Sequence, residues 1–149
     1  MPAGSDVPLP HTFRPFGVRI AIAVLGGLLT VVVVVMWLAF PPEIRAQFTA
    51  FQILTVVAFG AMFYLGGFAL ARSRLVAREE GLLVVNGYKT RRYEWNEVLA
   101  VTLRPGAPWA TLDLSDGTTV AAMGIQGSDG VRAQQQVRQV RSLVARMTR

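Results

Sequence analysis

The chain has no cysteine among its 149 residues and only one histidine, His11. Disulfides and thiolate chemistry are therefore excluded. His11 lies in a proline-rich stretch with no partner in the sequence and offers no metal centre. Charge is scarce as well: 16% of residues are charged, against about 25% in an ordinary soluble chain. The scarcity is local. No charged residue occurs between Arg19 and Glu43, or between Arg45 and Arg72, runs of 23 and 26 residues. A helix needs about 20 mainly apolar residues to cross ~30 Å of hydrocarbon, so both runs are long enough. Neither carries Asp, Glu, Lys or Arg at mid-depth, which argues against a transporter or proton channel.

The first expected span covers residues 18–40 and stops at Pro41-Pro42, which cannot continue a helix comfortably. Trp37 and Phe40 sit near that end, where aromatic side chains favour the interface. The second covers residues 48–71, with Gln52 near its outer end. The short connection makes the two spans antiparallel neighbours. The apolar part of the first is too long for the 7–15 residues of a signal peptide, and no small-x-small site follows it. Arg14 and Arg19 precede the first span, Arg45 lies beside Glu43 in the loop, and Arg72, Arg74 and Arg78 follow the second. Basic residues near span ends stay in the cytoplasm, so both termini are expected there, in a multi-pass protein of the plasma membrane. Residues 1–17 read as a disordered cytoplasmic tail. Small residues inside the spans (Ala23, Gly26, Gly27, Gly60, Gly66, Gly67, Ala71) are read as packing within the hairpin rather than as a homo-oligomer interface.

Residues 72–149 hold 12 of the 15 basic and 7 of the 9 acidic residues. The excess is assigned to topology and surface rather than to nucleic-acid binding. Gly81 to Thr90 superficially resembles a phosphate loop. However, five residues separate Gly81 and Gly87, Tyr88 precedes Lys89, and no helix follows, so the P-loop spacing fails. Asn86-Gly87 instead marks a hairpin turn, read here as one whose central pair both adopt positive φ. Turn signals at Glu79-Glu80-Gly81, residues 104–108 and Ser115-Asp116-Gly117 divide the region into about six short strands. Downstream, Ala133, Val137, Val140, Val144 and Met147 recur at helical spacing. That predicts a C-terminal helix packed on the sheet, with Ser128-Asp129-Gly130 as its cap.

Strands in hairpin series plus one terminal helix outline a pleckstrin-homology-like barrel. The residues that carry the resemblance are 74–78, the Glu80-Gly81-Leu82 turn, Asn86-Gly87, and Arg91-Arg92-Tyr93-Glu94-Trp95-Asn96-Glu97-Val98. The last is similar to the R-x-I-x-W-x-(D/E)-I/V signature of bacterial PH-like domains. With two preceding spans, the chain resembles the actinobacterial family named for low molecular weight protein antigen 6. The resemblance implies a membrane protein with a PH-like domain and no established activity. It also exposes a departure: phosphoinositide-binding PH domains place basic residues in the first strand, where Arg74 and Arg78 could serve, and also at the first turn and in the second strand. Here the turn is Glu79-Glu80 and residues 82–85 carry no basic side chain, which disfavours specific inositol lipid binding.

The expected fold is thus a membrane helical hairpin plus a small α+β domain: a PH-like β-barrel or roll of six to seven antiparallel strands, closed by a C-terminal α-helix. The expected function is a non-catalytic binding or scaffold module at the cytoplasmic face, recognising a protein partner or an anionic headgroup. The alternative is a small accessory subunit whose helices do the recognising. Arg72, Arg74 and Arg78 are the membrane-proximal basic residues. Lys89, Arg91 and Arg92 form the candidate partner surface. Trp95 and Tyr93, sharing strand parity, are expected to pack the core. Asp113, Asp116, Glu94 and Glu97 are assigned to turns and solubility, and no cofactor or catalytic residue is expected.

Overall fold

Apolar runs bounded by prolines and arginines become helices. In the computed structural model, which describes residues 7–149, α1 (Gly17–Ala39) and α3 (Ala50–Arg72) have 23 residues each and are long and apolar enough to cross a membrane. The short helix α2 (Pro42–Arg45) reverses the chain between them, with Pro42 in its first turn. At this turn Phe48 stacks on Phe40 at 5.9 Å and meets Trp37 edge-on at 5.5 Å. Together with Thr49, Gln52 closes a capping box at the start of α3. Of the small residues singled out, Gly26 and Gly67 lie where the helices meet. A Cβ at Gly26 would stand 3.0 Å from the Tyr64 ring, and one at Gly67 would stand 3.0 Å from Ile22, whereas Gly27, Gly60 and Gly66 face open space. The Tyr64 hydroxyl donates to the Gly26 carbonyl at 2.6 Å and contacts the Thr30 hydroxyl, joining the helices at mid-length.

Alternating residues beyond α3 give strands β2 (Arg74–Arg78), β3 (Gly81–Asn86), β4 (Lys89–Tyr93), β5 (Val98–Thr102), β6 (Trp109–Leu114) and β7 (Thr119–Gln126), followed by helix α4 (Val131–Met147). An additional strand precedes the helices: β1 (His11–Phe13) pairs antiparallel with β2, placing Phe13 opposite Leu75. This corrects the disordered-tail expectation from Val7 onward; residues 1–6 lie outside the described residues. The physical reason is the burial of Val7 and Phe13 in the domain core, worth about 2 kcal/mol for a ring of this size.

The expected barrel closure is also corrected. Among the described residues the strands form two antiparallel sheets, β1-β2-β3-β4 and β5-β6-β7, with no ladder closing them. Two local devices join the sheets instead. The Asn86 side chain donates to the Ala121 carbonyl at 2.6 Å and accepts from the Met123 N–H at 3.0 Å, so one amide replaces a stretch of ladder between β3 and β7. Close by, β7 crosses β2 in backbone contact at Gly124, where a Cβ would fall 2.4 Å from the Leu75 nitrogen. Asn86 is therefore the last residue of β3 rather than a central turn residue. The central pair is Gly87-Tyr88, and only Gly87 has positive φ, at +59°, the requirement of a type II′ turn.

The α4 stripe lies inward as predicted, with Ala133, Val137, Val140, Leu143 and Val144 buried in the main core. Arg141 reaches from α4 to the edge of β5, its Nε donating to the Val101 carbonyl at 2.6 Å. Trp95 leaves the strand for a 3₁₀ turn (Trp95–Glu97), so it does not share a strand with Tyr93. Its ring is buried, and Nε1 lies 3.0 Å from the carbonyls of both Arg78 and Glu79, securing the β2–β3 turn.

Candidate functional site

The two long apolar helices run antiparallel, so the start of α1 and the end of α3 come to one end of the hairpin. The domain is attached to both. At the end of α3, Ser73 is buried. Its hydroxyl donates to the Ala69 carbonyl at 2.9 Å and accepts from the Gly87 N–H at 2.9 Å, linking the helix terminus to the β3–β4 turn. Tyr88, the other central residue of that turn, donates through its hydroxyl to the Leu65 carbonyl at 2.9 Å. The Arg72 guanidinium lies 5.8 Å from the Phe68 ring centroid and 5.5 Å from that of Tyr88, within reach of favourable cation–π contact.

At the start of α1 the attachment is made by Asp129. Its carboxylate accepts from the Phe16 N–H at 2.9 Å and from the Gly17 N–H at 2.8 Å. These amides stand where a helix has no internal acceptors for its N–H groups, so Asp129 caps α1 from 112 residues away. Arg132 adds a cation–π contact at 5.2 Å to Phe16. Helix α4, for which this residue was the expected cap, has Gly130 at its N-cap position and no side-chain cap. The substitution of roles follows from position: the segment Gly127–Asp129 is a 3₁₀ turn that faces α1.

Arg72 ends α3, Arg74 opens β2 and Arg78 closes it. Arg74 and Arg78 share the outer sheet face with Val76, and Arg92, opposite Leu83, lies on that face too. Lys89 and Arg91 have the other parity, opposite Asn86 and Val84. The three candidate partner-surface residues are thus one strand but not one face, because side chains alternate. What unites them is exposure: β4 is the outer strand of its sheet, and residues 89–92 are exposed.

The carboxylates noted in the sequence serve turns. Glu97 accepts from the Glu94 N–H at 2.7 Å, and Asp113 accepts from the Thr119 hydroxyl at 3.0 Å. Asp116 accepts from the Thr118 hydroxyl at 2.7 Å and from its N–H at 2.8 Å. These bonds, the hydroxyl's foremost, lower the Asp116 pKa from its ordinary value. The His11 ring lies tilted against that of Phe13, with centroids 4.6 Å apart. Among the described residues no three His, Asp or Glu side chains come together as a metal site.

The arginines were nameable from the sequence, whereas Ser73, Tyr88 and the true partner of Asp129 were not. Only Asp129 gave a signal, as a capping residue, and it named the wrong helix.

Residues 72–143 match the model of the family described as Bacterial PH domain. Similar relatives are uncharacterized proteins of Mycobacterium bovis and of two strains of Mycobacterium tuberculosis. Each is 37% identical over 107 residues, covering 70% of this chain and 70% of the relative. No solved structure gives a significant match.

Proposed function

Because the chain belongs to the bacterial PH domain family, we propose that it is a non-catalytic binding or scaffold module, held by its helical hairpin at the cytoplasmic face of the plasma membrane. The observation that carries this reading is the double attachment of the domain, through Asp129 to the start of α1 and through Ser73 and Tyr88 to the end of α3. A domain on a loose tether samples many heights above a bilayer. This one has a set height and a set face.

The helices support the membrane setting. Their apolar side chains are exposed along nearly their whole length, a condition a bilayer satisfies and water does not. Arg14, Arg19 and Arg72 at the domain end outnumber Arg45 at the other, which favours the cytoplasm for the domain. The working surface in this reading is β4. Among the described residues no strand pairs with its outer edge, and it carries Lys89, Arg91 and Arg92, a combination suited to an acidic extended segment of a protein partner added as a further strand.

The test is a photo-crosslinking residue at Thr90 or Arg92 in the full chain in native membranes, with Val131 as an exposed control on α4. The reading expects a discrete adduct from the β4 positions, lost on Lys89→Glu/Arg91→Glu, and none from Val131. Adducts from Leu28 or Phe59 on the helices, with none from β4, would instead make the chain a small accessory subunit whose hairpin does the recognising.

A further inference from the structure

At the same end of the hairpin, a cavity of about 510 Å³ opens between the two helices and the domain. That size falls within the range of about 300–1,000 Å³ usual for small-molecule sites. Its lining contains four arginines, Arg14, Arg19, Arg72 and Arg74, and no acidic residue. The arginines come from four elements: the link after β1, the first turn of α1, the last residue of α3 and the start of β2. The rest of the lining is largely apolar and belongs to the helices, with Ile22 and Ala23 on one side and Phe68 and Ala71 on the other.

We propose that this cavity binds an anionic glycerophospholipid. The four guanidiniums take the phosphodiester headgroup, and an acyl chain lies along the groove between Ile22 and Phe68. The inference rests on the membrane reading given above and extends it to a ligand class. Three features point to a lipid rather than to a soluble anion. The charged and apolar halves of one cavity are stacked along the helix axis, as headgroup and chain are in a leaflet. Basic pockets between spanning helices at the cytoplasmic side are the usual form of such sites. Arg72 is already held between the Phe68 and Tyr88 rings, so its planar fork loses little freedom on meeting a phosphate. The adjoining outer-sheet cavity shares Arg14 and Arg74 and adds Arg78 together with Glu79 and Glu80. The added residues bring one positive and two negative side chains, so that side offers no further net cation for a second phosphate.

The experiment uses the full chain, first tested for resistance to alkaline carbonate extraction and then placed in nanodiscs of equal dioleoyl-phosphatidylglycerol and dioleoyl-phosphatidylcholine. Lipids retained on release are counted by native mass spectrometry. The expected result is at least tenfold preferential retention of phosphatidylglycerol, since about 1 kcal/mol for each of four interfacial basic residues more than covers the ~1.4 kcal/mol that tenfold requires. Arg14→Gln/Arg19→Gln, which leaves Arg72 and Arg74, should cut that preference by at least several-fold. Arg104→Gln/Arg138→Gln removes the same charge from exposed positions elsewhere and should keep the preference, with circular dichroism checking that both variants are folded. Equal retention of the two lipids by the unaltered chain, or loss of preference in both variants alike, overturns the proposal. So does displacement of the lipid by millimolar inorganic phosphate, which assigns the cavity to a soluble anion. A chain released by carbonate refutes the membrane reading itself, before any lipid is counted, and takes this proposal with it.

Discussion

Replacing Asp129 by alanine tests the attachment of the domain to α1. The wild-type carboxylate accepts two N–H bonds, at 2.9 and 2.8 Å, from Phe16 and Gly17. Removing a capping side chain costs about 0.5–2 kcal/mol. The lost interaction of a carboxylate with the positive end of the helix costs about 0.3–1 kcal/mol. The two overlap and the site is half-exposed, so the combined effect is about 1–2 kcal/mol, a factor of about 5–30 in a local opening equilibrium. Hydrogen–deuterium exchange on the full chain in nanodiscs reads that factor directly. The first intrahelical bond runs from the Ile20 N–H to the Phe16 carbonyl, leaving Asp129 as the acceptor for Phe16 and Gly17. Their amides should exchange about 5–30 times faster in the variant. Asp129→Asn retains one acceptor oxygen and should fall between. Gly17→Ala should act in the same direction, because its Cβ would sit 2.9 Å from the Asp129 carboxylate. Unchanged exchange at Phe16 and Gly17, with faster exchange at residues 131–134 instead, would refute the reasoning. That outcome would return Asp129 to α4, where the local sequence places it.

Gly124→Val places a branched side chain against the Arg74–Leu75 backbone, which a Cβ would approach to 2.4–2.6 Å. Overpacking against backbone costs about 1–3 kcal/mol or more, and the domain's melting temperature by circular dichroism should fall by several degrees. Asn86→Asp keeps the acceptor for Met123 but sets a carboxylate oxygen against the Ala121 carbonyl. It should destabilise the domain by about 1–3 kcal/mol, seen as a lower denaturant midpoint. Thr118→Val should raise the Asp116 pKa, followed by carboxyl NMR. The sign follows from the lowered folded-state value: the stability this carboxylate contributes is full above its unfolded pKa and is lost as pH falls through the folded one. The valine variant should therefore show less acid-dependent loss.

Elements with their own periodicity were readable in the chain. The spans expected at residues 18–40 and 48–71 are helices Gly17–Ala39 and Ala50–Arg72, and the apolar stripe of α4 lies where its spacing puts it. Strand β1 was not readable, because three residues carry no period and its pairing depends on β2, some sixty residues later. Asn86 and Asp129 show why turn chemistry is ambiguous. A short polar side chain next to glycine can serve its own turn or reach a distant backbone. The choice is made by what the fold brings near, here β7 for Asn86 and α1 for Asp129. The arginines of the candidate site were visible individually. Their convergence on one cavity required the antiparallel hairpin and β1 together.

Because the chain has no cysteine, single introduced cysteines give a clean reading of sidedness. Ile44→Cys on α2, between the two long helices, and Val131→Cys on α4 are both exposed positions. Labelling with a membrane-impermeant maleimide should modify the first in intact cells and the second only after permeabilisation. Labelling of Val131→Cys in intact cells, or of both positions together, would contradict a domain fixed against the inner face by its two helices.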